Sequence, residues 1–405
     1  MQLLSDSGPS VSARSGTFIP PSQRAFRRTE RDASRPDLGF HFEPIDYGLT
    51  LFTITNATLL ITNGASLALF GDTGIWAQDG TTIISEGSAL NHNRFIRSYA
   101  VQEQPVCLGS YATSSGLLVN SYNYGNSRPK GSYRFSDFLT LATGGYHFYS
   151  DRQWAYTNLT VKDCVLKGGN CYFSGSTNST TTVINSIFER IYCVAYDSYS
   201  AVTLRNNLFK GRYLDVFNWS TNSWVIKDNI FDNVGIDDFS VPTDHGYNAY
   251  INCAYRFYPT NSHDVALSSF TYEIGPLSRF YQPTNSALIN AGSRNATNAG
   301  LYHYTVLTSQ VKETNTVVDI GPHFVALDGN GNPVDTDGDG LPDYVEDANG
   351  NGSVDTVETS WLTADTDGDG VSDYLEWLLG RSSLISGATN SATQTKLVTY
   401  TPLRP

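Results

Sequence analysis

Val161-Lys162-Asp163-Cys164-Val165-Leu166 is followed by Val183-Ile184-Asn185-Ser186-Ile187-Phe188, by Leu204-Arg205-Asn206-Asn207-Leu208-Phe209 and by Ile226-Lys227-Asp228-Asn229-Ile230-Phe231. The third residue of the phrase recurs after 22, 21 and 22 residues. Repetition at this interval marks one structural unit stacked on its copies. Each copy has an aliphatic or β-branched run, a polar pair suited to a tight turn and a second apolar pair, with Gly, Ser and Asn further on. None holds the apolar-periodic run of about 10–12 residues that a helix needs. The spacing therefore predicts coils of two or three short parallel strands, stacked about 4.8 Å apart so that each strand pairs with its copies. The expected fold is all-β, a parallel β-helix.

Leu139-Thr140-Leu141 precedes Leu159-Thr160-Val161 by 20 residues, which gives at least five aligned coils. Short alternating runs from Leu49 to Gly87, separated by Asn63-Gly64, Gly71-Asp72 and Asp79-Gly80, place further strands upstream. Residues 88–134 are less regular and rich in tyrosine, and beyond Phe231 the period fades. The β-helix is expected over 43–254, with an irregular cap over 255–327 hiding the last row of strand edges. Residues 1–42 form a lead-in. Asp37-Leu38-Gly39-Phe40-His41-Phe42 returns as Asp319-Ile320-Gly321-Pro322-His323-Phe324, which suggests a closing element and makes 1–42 the tail of a preceding β-helical section, its His a packed turn residue. An acidic segment occupies 328–380 and a polar tail 381–405.

The period also fixes columns. Cys171 and Cys193 are 22 apart and fall in line with Leu214 and Ile236, so an apolar stack inside the coils is expected, a coil-to-coil disulfide being the alternative. Tyr172, Val194, Asp215 and Asp237 share a second column, which puts the two carboxylates one coil apart. Two acids so close can share a proton or a cation, and Lys227 or Arg205 is the candidate base or substrate clamp. Trp154, Tyr156, Trp219 and Trp224 are either core or platforms for sugar rings.

The net charge of -13 is local. Between Asp335 and Glu376 stand ten Asp and three Glu with no Lys or Arg, and the other 26 acids match the 26 bases. An electroneutral body gives no support to nucleic-acid binding. No apolar run is long enough to span a bilayer, and the first residues lack the charged and apolar regions of a signal peptide.

Within the acidic segment, Asp335, Asp337, Asp339, Asp343 and Glu346 occupy positions 1, 3, 5, 9 and 12 of a loop with Gly340 at position 6 and Leu341 at 7. That spacing wraps a hard cation, position 7 offering its carbonyl and position 12 a bidentate Glu. Asp347, Asn349, Asn351, Ser353, Asp355 and Glu358 repeat it around Gly352, and Asp365, Asp367, Asp369, Val371, Asp373 and Glu376 repeat it around Gly370. Flexible oxygen-rich loops suit Ca2+ better than octahedral Mg2+. The first two loops abut, which leaves no room for the helix of a paired EF-hand. The segment resembles thrombospondin type 3 repeats, strings of Asp-rich loops with little regular structure that bind calcium.

The coil phrase resembles the repeats of the pectate-lyase-like right-handed parallel β-helix superfamily over about 139–254. That resemblance implies a right-handed solenoid and an amide ladder at the turn, here through Asn207 and Asn229, with Ser186 and Cys164 as departures. It covers lyases, glycosidases and proteins without chemistry. Asp237-Asp238 and Asp244-His245-Gly246 are similar to elements of polygalacturonases, but lie only seven residues apart and lack that family's other elements. The combined reading is an exported, extracellular or cell-surface protein with a structural, adhesive or glycan-binding role, calcium as its cofactor, and a polysaccharide or cell-surface protein as partner. The competing reading is a lyase or glycosidase acting on an acidic polysaccharide through Asp215 and Asp237.

Overall fold

The computed structural model describes residues 45–69, 73–97, 117–121, 127–140, 145–150, 156–174, 178–197, 201–218, 224–238 and 244–387, with the strands Ser10–Arg14 and Phe26–Arg27. Leu141, Trp154, Trp219, the first copy of the repeated phrase at 37–42 and the tail beyond 387 lie outside the described residues. Two compact units divide the chain, the first containing residues 1–272, 284–293 and 319–322, the second 273–283, 294–318 and 323–405.

The first unit is the expected parallel solenoid. Among its described residues the strands form a nine-stranded and a sixteen-stranded sheet. One coil runs through Asn158–Lys162, turns into Val165–Lys167 and turns again into Asn170–Ser174. Its copies above pair in parallel register: Val161 opposite Val183, Leu166 opposite Phe188, Cys171 opposite Cys193. Each coil thus has three faces, and the sixteen-stranded sheet carries the second and third. Pairing continues past Phe231, where the repeat fades in sequence: Asp244–Gly246 and Ala249–Ile251 add strands, and Val265–Leu267 pairs with the latter.

The polar pair of the phrase makes the first corner. Its leading residue is left-handed in every copy, with φ of 55° at Asp163, 53° at Asn185, 54° at Asn206 and 63° at Asp228. Asp and Asn tolerate this conformation best among residues with a side chain. The second residue turns inward and builds the ladder. Asn207 N–H donates to Asn229 Oδ1, Asn229 N–H to Asn248 Oδ1 and Asn248 N–H to an oxygen of Asp264, so the ladder runs further than the two asparagines of the phrase. Ser186 does not end it, since its Oγ accepts the Cys164 N–H at 3.2 Å.

The last residue of the phrase fills the core. Phe188, Phe209, Phe231 and Tyr250 stack with centroids 4.7, 5.4 and 5.4 Å apart. Beside them Cys171 and Cys193 are buried free thiols, so the apolar stack holds and no disulfide joins them. Tyr156 and Trp224 are buried too and serve as core. At the first coil, Ser10–Arg14 pairs antiparallel with Thr58–Thr62, and Phe26–Arg27 pairs antiparallel with Tyr47–Leu49; both occupy strand edges without adding a parallel coil. The region expected as one cap divides between the units. Residues 284–293 and 319–322 run with the coils: Asp228 accepts bonds from Ser293 N and Oγ, and Asn206 donates to the Asp319 carbonyl. The histidine of the second phrase copy, His323, is buried against Glu313 at 3.1 Å, as a packed residue should be.

His147 sits fully buried with Nε2 2.6 Å from the Gly168 carbonyl, and burial lowers its pKa to about 4. A histidine held neutral stabilises the fold above its unfolded pKa of about 6.5, and that stability is lost as pH falls towards 4, on the order of 3 kcal/mol in all. Thermal melts at pH 7 and pH 4.5 should therefore differ less in His147→Gln than in the parent chain; equal differences in the two would discount His147.

Candidate metal centre

The second unit contains the acidic loops, and two of them share one geometry. In the first, Asp335 accepts the N–H groups of Gly338 and Gly340, Asp337 that of Asp339, and Asp339 that of Leu341. In the third, Asp365 accepts from Gly368 and Gly370, Asp367 from Asp369, and Asp369 from Val371. Each acid bends the chain around itself, which requires positive φ at Gly338 and Gly340 (76° and 106°) and at Gly368 and Gly370 (74° and 92°). The turns converge: one ligand atom from each of Asp335, Asp337 and Asp339 lies within 4.8 Å of the others, and Asp365, Asp367 and Asp369 do the same.

The acid at position 12 closes the first loop. Glu346 ends the short helix Asp343–Glu346 and is 2% exposed, and neither carboxylate oxygen accepts a hydrogen bond within ordinary geometry. Burial first, then the charges of Asp337 and Asp339, push its pKa up to about 8, against a weaker pull from the Thr359 hydroxyl. A buried carboxylate among carboxylates is a strongly unfavourable arrangement unless a cation joins it. The donor set of oxygens only, with several carboxylates, fits Ca2+. In the third loop the helix Asp373–Leu379 is inverted relative to an ordinary surface helix: Asp373 and Glu376 are buried, while Trp377, Leu378 and Leu379 are more than half exposed at 57, 61 and 51%. Its acids, not its leucines, face the protein.

The expected ligands at position 9 have further contacts. Asp343 Oδ1 accepts the Thr336 N–H at 2.6 Å and Oδ2 accepts the Thr336 hydroxyl, Lys312 and a contact from His303. Asp373 is held in the same way by Thr366. These acids brace their loops from position 2. In the second loop position 2 is Ala348, which has no hydroxyl to offer. There the half-buried Asp355 accepts from the amides of Asn349 and Asn351. The backbone turns persist there: Asn351 and Gly352 donate to Asp347, Ser353 donates to Asn351, and Glu358 accepts the Asn349 N–H.

His303 was not singled out by its sequence context. It lies between the first two loops, with Nε2 3.0 Å from Asp347 and Nδ1 3.4 Å from Asp343. Burial lowers its proton affinity, but the bonds to both acids outweigh that and raise its pKa. The signal was faint, a Tyr-His-Tyr run in an irregular segment.

The catalytic candidates are only partly brought together. Asp215 and Asp237 pair across adjacent coils as the period required, and the Tyr192 hydroxyl donates to Asp215 at 2.5 Å. Burial, and next to it the Asp237 charge, raise the Asp215 pKa, with the Tyr192 bond opposing. Lys227 and Arg205 belong to the other sheet, where Lys227 contacts Asp244 at 2.6 Å and Arg205 donates to Asp228 and Ser293. Neither is positioned as a base for the pair. His245 and Gly246, which resembled a glycosidase element, are strand residues opposite Ile226 and Lys227.

Compared with known families, the chain matches the bacterial TSP3 repeat over residues 335–350 and 365–380. The matched stretches cover the first and third loops and leave most of the second outside. No curated protein and no solved structure matches the chain, so the likeness to pectate-lyase-like proteins rests on the coil pattern alone. No helix among the described residues is long and apolar enough to cross a membrane.

Proposed function

We propose that this chain is an exported calcium-binding β-helical protein of a cell surface or matrix, with the solenoid as a structural, adhesive or glycan-binding face. Calcium holds the second unit together. The observation that carries the reading is Glu346: a buried carboxylate facing Asp337 and Asp339, with the Thr359 hydroxyl as a weak contact and no well-formed hydrogen bond to either oxygen. Asp335, Asp337, Asp339 and Glu346 would hold one ion, and Asp365, Asp367, Asp369 and Glu376 a second, with the carbonyls of Leu341 and Val371 at position 7. Asp347, Asn349, Asn351, Ser353, Asp355 and Glu358 would hold a third. Loops of this kind suit the near-millimolar calcium outside cells. A lyase or glycosidase reading is less favoured, because Lys227 and Arg205 are engaged in the other sheet.

Affinity rises with the number of carboxylates. The second loop replaces two of the three ring acids with Asn349 and Asn351, so calorimetric titration should resolve two tighter sites and one weaker, by about tenfold or more. Asp335→Ala and Asp365→Ala should each remove one tight site, and Asp347→Ala the weak one. A titration unchanged by all three substitutions would defeat the calcium reading.

A further inference from the structure

The third face of the coils carries an outward row that the loops do not explain. Tyr192, Tyr213 and Gly235 are successive partners across three coils, and Val194, Asp215 and Asp237 are partners two positions further along. At Gly235 a Cβ would come within 2.3 Å of the Tyr213 ring, so the ring occupies the space that a side chain at 235 would need. Even so it is 55% exposed. One side of the ring rests on the next coil and the rest is open to water. Beside it Asp237 is exposed, while Asp215 is 8% exposed and fixed by the Tyr192 hydroxyl. The basic groups of the same strand are turned to other partners: Arg212 donates to the Gly169 carbonyl and Asn170, and Lys210 pairs with Asp232.

An aromatic platform next to one exposed and one fixed carboxylate has the chemistry of a sugar site. The C–H face of a pyranose is apolar and stacks on a ring, while its rim of hydroxyls donates to carboxylates. Uronates, sulfated sugars and phosphates would meet two like charges, so an acidic ligand is disfavoured. We infer that Tyr213 and the Asp215–Asp237 pair bind a neutral, hydroxyl-rich polysaccharide, one ring stacked on Tyr213 and its hydroxyls held by the exposed Asp237, with Asp215 behind it adding negative charge. The coil repeat of about 4.8 Å is close to the length of one sugar in an extended chain, so a polymer lying along the solenoid axis meets successive coils in step. Tyr149 and Tyr172, stacked at 5.4 Å in the Asp215 column, continue that path.

This deepens the reading of the solenoid as a binding face, and its test is separable from the calcium reading. The whole chain, with calcium present, would be titrated against soluble neutral polysaccharides (a β-glucan, a xylan and a galactomannan), against polygalacturonate and against a polylysine. Binding to at least one neutral polymer is expected, weakened about tenfold or more by Tyr213→Ala, kept by Tyr213→Phe and reduced by Asp237→Asn. Far-UV circular dichroism and the calcium titration should be unchanged in all three variants. Absence of binding to every neutral polymer, preference for polygalacturonate or polylysine, or full binding by Tyr213→Ala would overturn the inference while leaving the calcium sites standing.

Discussion

Glu346→Gln is expected to stabilise the calcium-free protein and to destabilise the calcium-loaded one. The two signs come from one carboxylate. Without a cation its raised pKa, about 8 against 4.5 for an ordinary glutamate, means that the folded state binds its proton more tightly than the unfolded state does. Stability of that state therefore falls as pH rises from about 4.5 through 8, by a few kcal/mol, and a neutral amide removes the fall. With calcium the same carboxylate would be a ligand on the reading proposed above, and its loss should weaken the first site at least about tenfold, or about 1.4 kcal/mol. Melts of both proteins at pH 8, with calcium and with chelator, measure both signs; a change of the same sign under both conditions would refute the assignment of Glu346 to the ion.

The size of this effect follows from how little else holds the segment. Among the described residues from 324 to 387 the buried apolar ones are Val325, Ala326, Leu327, Leu341 and Tyr344, whereas the buried acids are Asp343, Glu346, Asp347, Glu358, Asp373 and Glu376. A stretch that buries six acids against five apolar residues gains little from the hydrophobic effect relative to the cost of its carboxylates. His303 and Lys312 compensate Asp343 and Asp347 directly. Among the described residues the ring acids of the first and third loops have no such partner, and an ion from solution could balance their charge.

The sequence made the solenoid legible because the phrase repeats where geometry is most demanding. A left-handed corner admits few residue types, the ladder position needs an amide, and the core column needs large apolar side chains, so all three leave a periodic trace. The columns read from that period hold in the structure, including Cys171 with Cys193 and Asp215 with Asp237. The second corner left almost none. It is made by the register partners Arg190, Gly211 and Asn233 with φ of 56°, 72° and 53°, of which Gly and Asn suit the left-handed region and Arg does not, inside strands that continue through the bend. The strap at 284–293 was illegible for a different reason: it is fixed by single bonds such as those between Ser293 and Asp228, which have no period. In the acidic loops the spacing was plain, but the bonds that Thr336 and Thr366 at position 2 make to Asp343 and Asp373 were not, because a ligand pattern ignores position 2.

Asn229→Ala should produce the largest single loss of stability in the solenoid. The side chain is fully buried at the centre of the ladder. Its Oδ1 accepts the Asn207 N–H at 3.0 Å and the Asn207 amide, and its Nδ2 donates to the carbonyls of Leu204 and Lys227. Truncation leaves buried donors and acceptors on two coils without water to replace their partner, each costing about 1–3 kcal/mol, and opens a small cavity besides. Neighbouring coils share these bonds, so the damage spreads along the stack, and a total loss of about 3–5 kcal/mol is expected. Asn229→Asp keeps the acceptor but loses the donors and buries a charge, so it should be no milder at neutral pH. Asn233→Ala is the comparison: that residue is exposed at a corner and its side chain bonds Asp232 and Asn252, so the main cost is that of alanine at a φ of 53°, about 1 kcal/mol. Urea unfolding followed by far-UV circular dichroism should rank Asn229→Ala well below Asn233→Ala, and amide exchange should show protection lost first at Leu204–Leu208 and Ile226–Ile230. Comparable midpoints for the two alanine variants would mean that the ladder decorates the corner and does not hold it.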